Sequence, residues 1–448
     1  MIIPESRFLW VFGLTALPLT FGWALFPFDA AFLAIPLLVL AGIGLADAAL
    51  SRKRLRGIEM DFPECLRLTR NEKGSLDFTL TDTSGKNPFL VLGLHLPETV
   101  ESPVPSWTAK MPGDADAVRI SWPLVGTRRG SYDLGEVLVR AGSPLGLWSR
   151  QAVFPCSLRI CVYPNLVSER RKMAALFLSR GGLGFHAQRP VGKGRDFEKL
   201  REYAPGDSMG DIHWKATAKR VHPVTKEYQI ERTQEVYIVI DASRLSGRAA
   251  KYLSPDGGTE DPLLEHFIIS AHLLAMVAQR QGDLCGLVTF SDQVLTFLKA
   301  RSGSAHFRAF RDSLYNLHPH PSNPDFDEVS SFINMRLRRR ALIFMLTSLD
   351  DPALAESFIR DMEIINRRHL IMVNSLRPAA ARPLFSGEGV KSLDSIYENL
   401  AGHLLWQDLE ELKIRLHRKG MDFHLLRSEA MSTQLVSQYM RVKARQLL

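Results

Sequence analysis

The second half of the chain alternates short apolar segments with helical patterns, and this alternation limits the possible folds more than any other feature. Five apolar runs have the length of strands: Val236–Ile240, Leu284–Phe290, Ala341–Leu346, His369–Val373 and Met421–Leu426. Helical patterns lie between or after them, at Leu263–Gln281, Val329–Arg340, Ala353–Asn366, Leu405–Lys419 and Ser432–Leu448. Continuous apolar runs are typical of strands that helices cover on both faces. Residues 236–448 are therefore predicted to form a doubly wound α/β domain of at least five strands.

Asp241 follows the first of these strands directly, and Ser243 comes two residues later. Open α/β sheets bind ligands beyond the carboxyl ends of their strands. Carboxylate and hydroxyl oxygens are ligands for a hard cation such as Mg²⁺. Alternatively, the two side chains only cap the next turn through hydrogen bonds. Asp241 and Ser243 are thus candidate ligands for Mg²⁺, and the sequence indicates no other cofactor.

Residues 57–165 contain several runs that alternate with a period of two. Leu76, Phe78 and Leu80 share one face of such a run, and the residues between them are polar. Alternation of this kind buries one face of a strand against a core and leaves the other face wetter. Glycine and proline residues separate the runs. The segment predicts an all-β domain, a β-sandwich-like fold or a small barrel.

Two apolar runs, Phe8–Phe28 and Ala31–Leu50, lie near the start of the chain. Each is long enough as a helix to cross a hydrocarbon core of about 30 Å. Pro27 and Asp29 favour a tight turn between them. Basic residues cluster after the second run, within Arg52–Arg56, and such residues favour the cytoplasmic side. Residues 1–56 are therefore predicted to form a two-helix transmembrane hairpin with both termini in the cytoplasm.

The formal net charge of +8 raises the possibility of a nucleic-acid partner. Part of this excess is the basic cluster after the second apolar run, and the other basic residues are interspersed with acids. The chain has no ladder of alternating basic and aromatic residues like those of single-strand binders. No nucleic-acid partner is predicted.

The four cysteines are scattered along the chain, at Cys65, Cys156, Cys161 and Cys285. No pair has the spacing of a metal or redox motif. Cys156 and Cys161 are five residues apart in a strand-like run, so they are expected on opposite faces of the strand and suit a disulfide poorly. All four are predicted to be buried thiols in a reducing compartment.

The stretch Gly192–Arg220 is dense in residue types that a plain core does not use. Residues 203–207, Tyr-Ala-Pro-Gly-Asp, have turn chemistry, because proline presets φ and glycine permits positive φ. Residues 196–203 before this turn are predicted to form about two helical turns, and a short helix with a cationic face is predicted after it. Glu202 and Asp207 are expected to pair with some of these cations, Lys215, Lys219 and Arg220, since a half-buried carboxylate needs a partner.

This stretch closely resembles the signature of bacterial membrane-associated proteins known as the DUF58 family, which carry a von Willebrand factor A-like domain. The resemblance rests on G-x-G-R-D-F at 192–197, L-R-E-Y-x-P-G-D at 200–207, I-x-W-K-A-T-A-K at 212–219 and a following strand that ends in Asp241. The apolar hairpin, the β-rich segment and the α/β segment also follow the order of the family. The chain departs from the signature at Gly210 and His213, where many members have arginine and aspartate.

The resemblance implies a von Willebrand A-like fold for residues 236–448, a location at the bacterial inner membrane and work alongside MoxR-type AAA+ ATPases. Those ATPases act as chaperones in assembling or activating other proteins. A complete metal-ion-dependent adhesion site in such a domain would read D-x-S-x-S, with a threonine from a second loop and an aspartate after a later strand. Here Leu245 occupies the third position and Ser348 the expected acid position. Losing two of about five oxygen ligands should abolish tight Mg²⁺ binding.

Four regions follow: a transmembrane hairpin with a basic juxtamembrane segment (1–56), a β-sandwich-like domain (57–165), the signature segment and linker (166–235) and a von Willebrand A-like α/β domain (236–448). The residues predicted to bind a partner or to clasp the domains together are Arg195, Arg201, Glu202, Tyr203, Gly206, Asp207, His213, Trp214 and Lys215.

The favoured function is a non-enzymatic protein-interaction module at the membrane, an adaptor or co-chaperone of a MoxR-type ATPase, with no small-molecule substrate evident. The alternative is a hydrolase-type enzyme in which His213 acts with Asp207 or Asp211, although the chain has no GxSxG elbow, HExxH helix or P-loop. A third hypothesis makes the β-rich segment the recognition surface.

Overall fold

The computed structural model forms two compact units, residues 1–165 and 166–448. It describes residues 1–25, 30–83, 87, 89–111, 117–179, 191–192, 196–205, 207–220, 222–229, 234–248, 261–378, 380–384, 386 and 393–445. The first unit has one hydrophobic core, and the second unit has two.

The first unit begins with a short strand and two helices and continues with strands alone. In chain order its elements are β1 (Ile2–Pro4), α1 (Ser6–Leu25), α2 (Ala30–Ser51), β2 (Ile58–Asp61), β3 (Cys65–Thr69), β4 (Lys73–Asp82), β5 (Phe89–Leu94), β6 (Val100–Glu101), β7 (Trp107–Lys110), β8 (Ala117–Gly126), β9 (Gly130–Gly142) and β10 (Trp148–Tyr163).

The N-terminal apolar runs are helical, as predicted, but two membrane spans are not supported. Within the described residues of α1 and α2, no helix is both long and apolar enough to cross a membrane. The predicted turn at Pro27 and Asp29 lies outside the described residues. The helices contact the β-rich part of the same unit: the Trp148 indole donates to the carbonyl of Gly44 at 2.9 Å and lies 5.0 Å from the Phe8 ring, centroid to centroid.

Two sheets of the first unit enclose one core. One sheet has the order β1-β10-β9-β5-β7, with β3 also paired to β10, and the other has the order β2-β4-β8-β6. Leu76, Phe78 and Leu80 of β4 are buried between the sheets, on the face that the period-two pattern predicted. Trp122 of β8 is buried beside them. The β-sandwich-like fold of this segment is therefore present as predicted.

The second unit alternates strands and helices. Its elements are α3 (Val167–Ser179), β11 (Val191–Gly192), β12 (Asp196–Glu202), a 3₁₀ turn (Met209–Asp211), α4 (Trp214–Arg220), β13 (Val224–Gln229), β14 (Glu235–Asp241), α5 (Leu263–Arg280), β15 (Leu284–Phe290), β16 (Val294–Arg301), α6 (Ser304–Leu314), α7 (Phe326–Arg336), β17 (Ala341–Leu346), α8 (Pro352–Asn366), β18 (Leu370–Leu376), α9 (Leu393–Arg418), β19 (Asp422–Leu426), a 3₁₀ turn (Ser428–Ala430) and α10 (Met431–Ala444).

The main sheet of this unit has the order β16-β15-β14-β17-β18-β19. Its strands are parallel except β16, which runs antiparallel to β15 at the edge. Counted along the chain, the order is 3-2-1-4-5-6, the order of a doubly wound sheet. The mixed α/β fold predicted for residues 236–448 is confirmed.

The middle of strand β14, Val236–Ile240, shows why a strand can be apolar at every position. Val236, Ile238 and Ile240 enter a core beneath α5 and α10, whereas Tyr237 and Val239 enter a second core that includes residues of α7, α8 and α9. Successive side chains of a strand point to opposite faces, so a strand with helices on both faces needs apolar residues throughout.

The sequence did not predict β16 or α6. The residues of β16 are mostly half-buried, because an edge strand has a neighbour on one side only, and α6 buries just Phe310 and Leu314 among its residues. Neither element therefore presents the continuous apolar run that identified the others.

The predicted helix at residues 196–203 is wrong. Asp196–Glu202 forms strand β12, which pairs antiparallel with β13, and β11 pairs with the other side of β13. The short helix predicted after the turn is present as α4.

Candidate functional site

The carboxyl ends of β14 and β17 meet at the point where the strand order of the main sheet reverses. These two strands are neighbours, although β15 and β16 lie between them in the chain. Ligands of open α/β sheets bind at such a switch point. Asp241 is the last residue of β14, and Thr347 directly follows β17. The fold thus places Asp241, as predicted, at the edge where a ligand site is expected.

Both carboxylate oxygens of Asp241 accept hydrogen bonds from neighbouring groups. The Thr347 hydroxyl donates to Oδ2 at 2.7 Å, and the backbone N–H of Ser243 donates to Oδ1 at 2.8 Å. The side chain has no exposed surface. Burial raises the pKa of Asp241, and the hydrogen bonds from Thr347 and Ser243 act in the opposite direction. The burial and these contacts are those of a structural carboxyl group.

Ser243 is buried, and its polar groups serve the turn that follows β14. Its hydroxyl accepts from the backbone N–H of Leu245 at 3.4 Å, and its carbonyl accepts from the Ser246 hydroxyl at 2.7 Å. These local bonds match the capping alternative for Asp241 and Ser243.

Ser348, in the expected acid position, directs its hydroxyl to Asp350 at 2.8 Å. The other carboxylate oxygen of Asp350 accepts from Arg248 at 2.7 Å, so this acid is engaged in an ion pair. Among the described residues, no group of three or more histidine, cysteine, aspartate or glutamate side chains is placed to hold a metal ion. Mg²⁺ requires several oxygen ligands in near-octahedral geometry, whereas both oxygens of Asp241 already accept hydrogen bonds and Ser348 directs its hydroxyl to Asp350.

A second polar cluster lies at the carboxyl end of β15, and the sequence analysis missed it. The hydroxyls of Ser291 and Ser322 both donate to Asp292 Oδ1, at 3.1 and 2.9 Å. The bond from Ser322 is the main reason why the pKa of Asp292 is lowered. Asp241 was identified because an aspartate and a serine come at the end of an apolar strand. Ser291 and Asp292 follow β15 in a similar way, so the same signal would have identified this cluster.

Asp207 of the signature segment fixes the turn between β12 and α4. Arg201 donates to its Oδ1 at 2.6 Å, and the backbone N–H of Ala204 donates to Oδ2 at 2.9 Å. Thr225 of the neighbouring strand β13 donates to Oδ2 at 3.4 Å. The bond from Arg201 is the largest cause of the lowered pKa of Asp207. Asp207 does pair with a cation, but the partner is Arg201 of β12 and not a basic residue of α4, where the partner was expected.

The Glu202 carboxylate lies 3.3 Å from Nε2 of His222. The backbone N–H of Tyr203 donates to the carbonyl of Pro223 at 3.0 Å, which joins the end of β12 to the start of β13. Arg195 and Gly206 lie outside the described residues. The structure thus brings Arg201 and Asp207 together in one ion pair. Glu202 and Tyr203, at the end of β12, contact His222 and Pro223 just before β13.

His213 caps helix α4. Its Nδ1 accepts from the backbone N–H of Ala216 at 3.0 Å, the bond that an N-cap side chain makes to the third helical residue. Among the described residues, no carboxylate lies within hydrogen-bonding distance of the His213 ring, and Asp207 is bound to Arg201 instead. The structure thus engages His213 Nδ1 in a helix cap and Asp207 in a bond with Arg201, and it pairs neither group with the other.

Two large apolar side chains of the signature segment point into solvent. Met209 is 75% exposed and Trp214 is 68% exposed. Lys215 and Lys219, in the helix that Trp214 begins, are exposed as well. The 3₁₀ turn and α4 are held by the Asp207 turn, by the His213 cap and by the bond from the Val224 N–H to the Thr217 hydroxyl at 3.1 Å. We call the exposed residues Met209, Trp214, Lys215 and Lys219 the signature surface.

Comparison with known families confirms the predicted resemblance. Residues 199–383 match the model of a family described as "Protein of unknown function DUF58". The chain is 26% identical over 163 residues to the uncharacterized protein YeaD of Bacillus subtilis, a match that covers 34% of this chain and 39% of that protein. It is 22% identical over 192 residues to the uncharacterized protein Rv1480 of Mycobacterium tuberculosis, with coverage of 42% and 57%. The matches thus span less than two thirds of these relatives.

Solved structures with partial likeness include BatB from Bacteroides thetaiotaomicron, at 15% identity and a TM-score of 0.29, covering 47% of this chain and 99% of that one. Another is an aerotolerance-related membrane protein from Bacteroides fragilis, at 14% identity and a TM-score of 0.28, covering 46% and 99%.

Proposed function

We propose that this chain is a non-enzymatic protein-interaction module that binds its partner through the signature surface. The observation that carries this proposal is the exposure of Met209 and Trp214 on a segment in which Arg201, Asp207 and His213 are engaged in internal hydrogen bonds. Arg201, Asp207 and His213 hold the backbone in place, and the apolar side chains beside them have no comparable internal role.

The exposed side chains have the composition of a binding hot spot. Tryptophan and methionine are enriched in interfaces, and tryptophan is prominent among the residues that dominate binding energy. Covering a side chain of this size releases water from a large apolar area, at about 25 cal/mol per Å². Lys215 and Lys219 beside Trp214 favour a partner surface that carries carboxylates, because charge complementarity accelerates and orients docking.

We propose further that the partner is a MoxR-type AAA+ ATPase, for which the chain acts as adaptor or co-chaperone. Support for this partner is the resemblance to the DUF58 family over residues 199–383. The proposal includes a von Willebrand A-like identity for residues 236–448, supported by the 3-2-1-4-5-6 strand order with one antiparallel edge strand.

The test is binding of the full chain to the purified MoxR-type ATPase of the same organism, with ATP present. Trp214→Ala is expected to weaken binding at least tenfold, which corresponds to about 1.4 kcal/mol. The matched control is Tyr397→Ala on α9, since Tyr397 is 69% exposed and Trp214 is 68% exposed. Equal affinity of wild type and Trp214→Ala would reject the signature surface. If substitutions in residues 57–165 alone weaken binding, the β-rich segment is the recognition surface.

We also propose that α1 and α2 attach the chain to a membrane, with the basic residues after α2 on the cytoplasmic side. Large apolar side chains are exposed on both helices, and soluble monomers rarely expose contiguous apolar patches beyond a few hundred Å². These side chains are Leu9, Trp10, Leu14, Leu17 and Phe21 of α1 and Ile35, Leu38, Val39, Leu45 and Leu50 of α2.

Flotation with phospholipid vesicles tests the attachment. Wild type is expected to float with the vesicles, and the double variant Leu14→Lys/Leu38→Lys to remain largely in the dense fraction, because lysine is costly to place in hydrocarbon. Leu145→Lys is the control, since Leu145 is also exposed but lies outside the two helices. Flotation of the double variant at the wild-type level would contradict attachment through these helices.

A further inference from the structure

Two cysteines that are 96 positions apart in the chain lie side by side in the first unit. The Sγ atoms of Cys65 and Cys161 are 3.3 Å apart. Cys65 is the first residue of β3, and Cys161 lies in β10, the parallel neighbour of β3. Cys65 is paired with Arg159 and Cys161 with Arg67, so the two cysteines are diagonal neighbours on one face of the sheet.

The two thiols differ in their access to solvent. Cys65 is exposed, whereas Cys161 is 4% exposed. This corrects the expectation that all four cysteines are buried. The arrangement is an accessible thiol with a second thiol directly behind it, which is the arrangement of a reacting and a resolving cysteine.

We propose that hydrogen peroxide oxidises Cys65 and Cys161 to a disulfide within the chain. The Cys65 thiolate attacks one oxygen of hydrogen peroxide and the O–O bond breaks; the leaving hydroxide takes up a proton, equivalent to the one that the thiol released, so the products are a Cys65 sulfenic acid and water. The Cys161 sulfur then attacks the sulfenic sulfur, the S–O bond breaks, and a second water leaves. In total the two thiols lose two electrons and two protons, and one peroxide is reduced to two waters.

The surroundings of Cys65 control the rate at which its thiol is oxidised to the sulfenic acid. Partial burial is the main cause that raises the pKa of the Cys65 thiol, and the Cys161 thiol raises it further, while Arg67 and Arg159 act in the opposite direction. The thiolate is the reactive form, so oxidation at neutral pH is slow and accelerates as the pH rises toward the pKa.

Closing the bond requires a local movement. The sulfurs must approach from 3.3 Å to about 2.05 Å, and diagonal neighbours on adjacent strands lie farther apart at Cα than most bridged cysteines do. Cys65 can move because it begins its strand and follows irregular chain at residues 62–64. A bridge formed under such strain has a high reduction potential and is readily reduced by glutathione.

The other two cysteines are internal controls. Cys156 packs against the sandwich core, and burial raises its pKa. Cys285 is buried in the second unit, and burial raises its pKa to about 12. Neither is expected to react at a rate comparable with that of Cys65.

The experiment treats the full chain with hydrogen peroxide, blocks the remaining thiols with an alkylating reagent and maps the peptides by mass spectrometry. A peptide pair linked through Cys65 and Cys161 is expected as the main product in wild type and in Cys156→Ser, formed faster at pH 9 than at pH 7 and reversed by reduced glutathione. In Cys161→Ala, Cys65 is expected to remain a sulfenic acid that dimedone traps.

Two results would overturn the proposal. One is wild-type Cys65 oxidised to sulfinic acid with no linked peptide; the other is a main product linked between two chains through Cys65. If the Cys161→Ala variant does not fold, the peptide map of the wild type is sufficient to test the proposal. Cys65→Ser, a substitution at an exposed position, then serves as the control that cannot form the disulfide.

Discussion

Asp241 and Asp207 are both aspartates that hold a turn of the second unit, yet their surroundings are opposite. Asp241 is fully buried at the switch point of the sheet and accepts bonds from neutral donors, so its pKa is raised. Asp207 is partly exposed beside the charged Arg201, so its pKa is lowered. The buried acid stabilises the sheet edge. Asp207 holds a turn, and the side chains of Met209 and Trp214 that follow this turn are exposed.

The strongest test of this contrast is Asp241→Ala. The change leaves the Thr347 hydroxyl and the Ser243 N–H without their buried acceptor, so we expect a loss of about 2–4 kcal/mol of local stability. Amide hydrogen exchange of β14 and β17 in the full chain measures it. Asp241→Asn is the control, since the amide keeps an acceptor and a donor in place and should lose much less. Equal losses in both variants would indicate that the carboxyl group itself is required.

The pH dependence should have opposite signs at the two acids. Because the folded pKa of Asp241 lies above its ordinary 3.8, this group stabilises the fold at low pH, and that contribution is lost as pH rises from 3.8 through the raised pKa. Because the folded pKa of Asp207 lies below 3.8, its contribution is present above 3.8 and is lost as pH falls through the lowered pKa.

Comparison of each asparagine variant with wild type across this pH range is the measurement. As pH rises, Asp241→Asn should gain stability relative to wild type, and Asp207→Asn should lose it. The same sign at both positions would contradict the contrast in their surroundings.

A smaller effect is expected at His213. His213→Ala removes the N-cap of α4, which costs about 0.5–2 kcal/mol, and should loosen the helix that carries Trp214. Protection of the α4 amides against hydrogen exchange reports the loss. Asn is a good N-cap but a poor base, so His213→Asn should restore both the protection and the partner binding. If His213→Asn restores the cap and a cellular activity remains lost, a chemical role for the ring would have to be reconsidered.

The smallest expected effect is that of Mg²⁺. Because the two oxygens of Asp241 are already engaged and Ser348 stands in the expected acid position, titration of Mg²⁺ into the chain should release no binding heat and should not shift thermal unfolding. A measurable heat that Asp241→Asn abolishes would establish a metal site at the switch point.

Much of the second unit was predictable because its strands are buried on both faces. The strands predicted at Leu284–Phe290 and Ala341–Leu346 have those bounds in the structure, and the others differ by a few residues at their ends. The edge strand β16 escaped prediction because its residues are only half-buried. Residues 294–301 form a strand because they pair with β15, and this pairing leaves no apolar pattern in their own sequence.

The signature segment shows the opposite limit. Residues four apart, such as Glu198 and Glu202, are compatible with one face of a helix, but they are equally compatible with one face of a strand. Residues 196–202 form a strand because they pair with β13, which begins more than twenty residues later. Thr225 of β13 also donates a hydrogen bond to Asp207. Local spacing could not reveal a partner strand that lies beyond a turn and a helix.

By itself, the sequence determined the α/β alternation, the sandwich segment, the position of Asp241 after a strand and the resemblance to the DUF58 family, because periodicity and turn chemistry act over a few neighbouring residues. Only the tertiary structure decided which polar groups meet. It placed Thr347 against Asp241, Arg201 against Asp207, His213 on the first turn of α4 and Cys161 behind Cys65. Such contacts depend on strand order and register, which bring together residues up to about a hundred positions apart, and no local pattern encodes those distances.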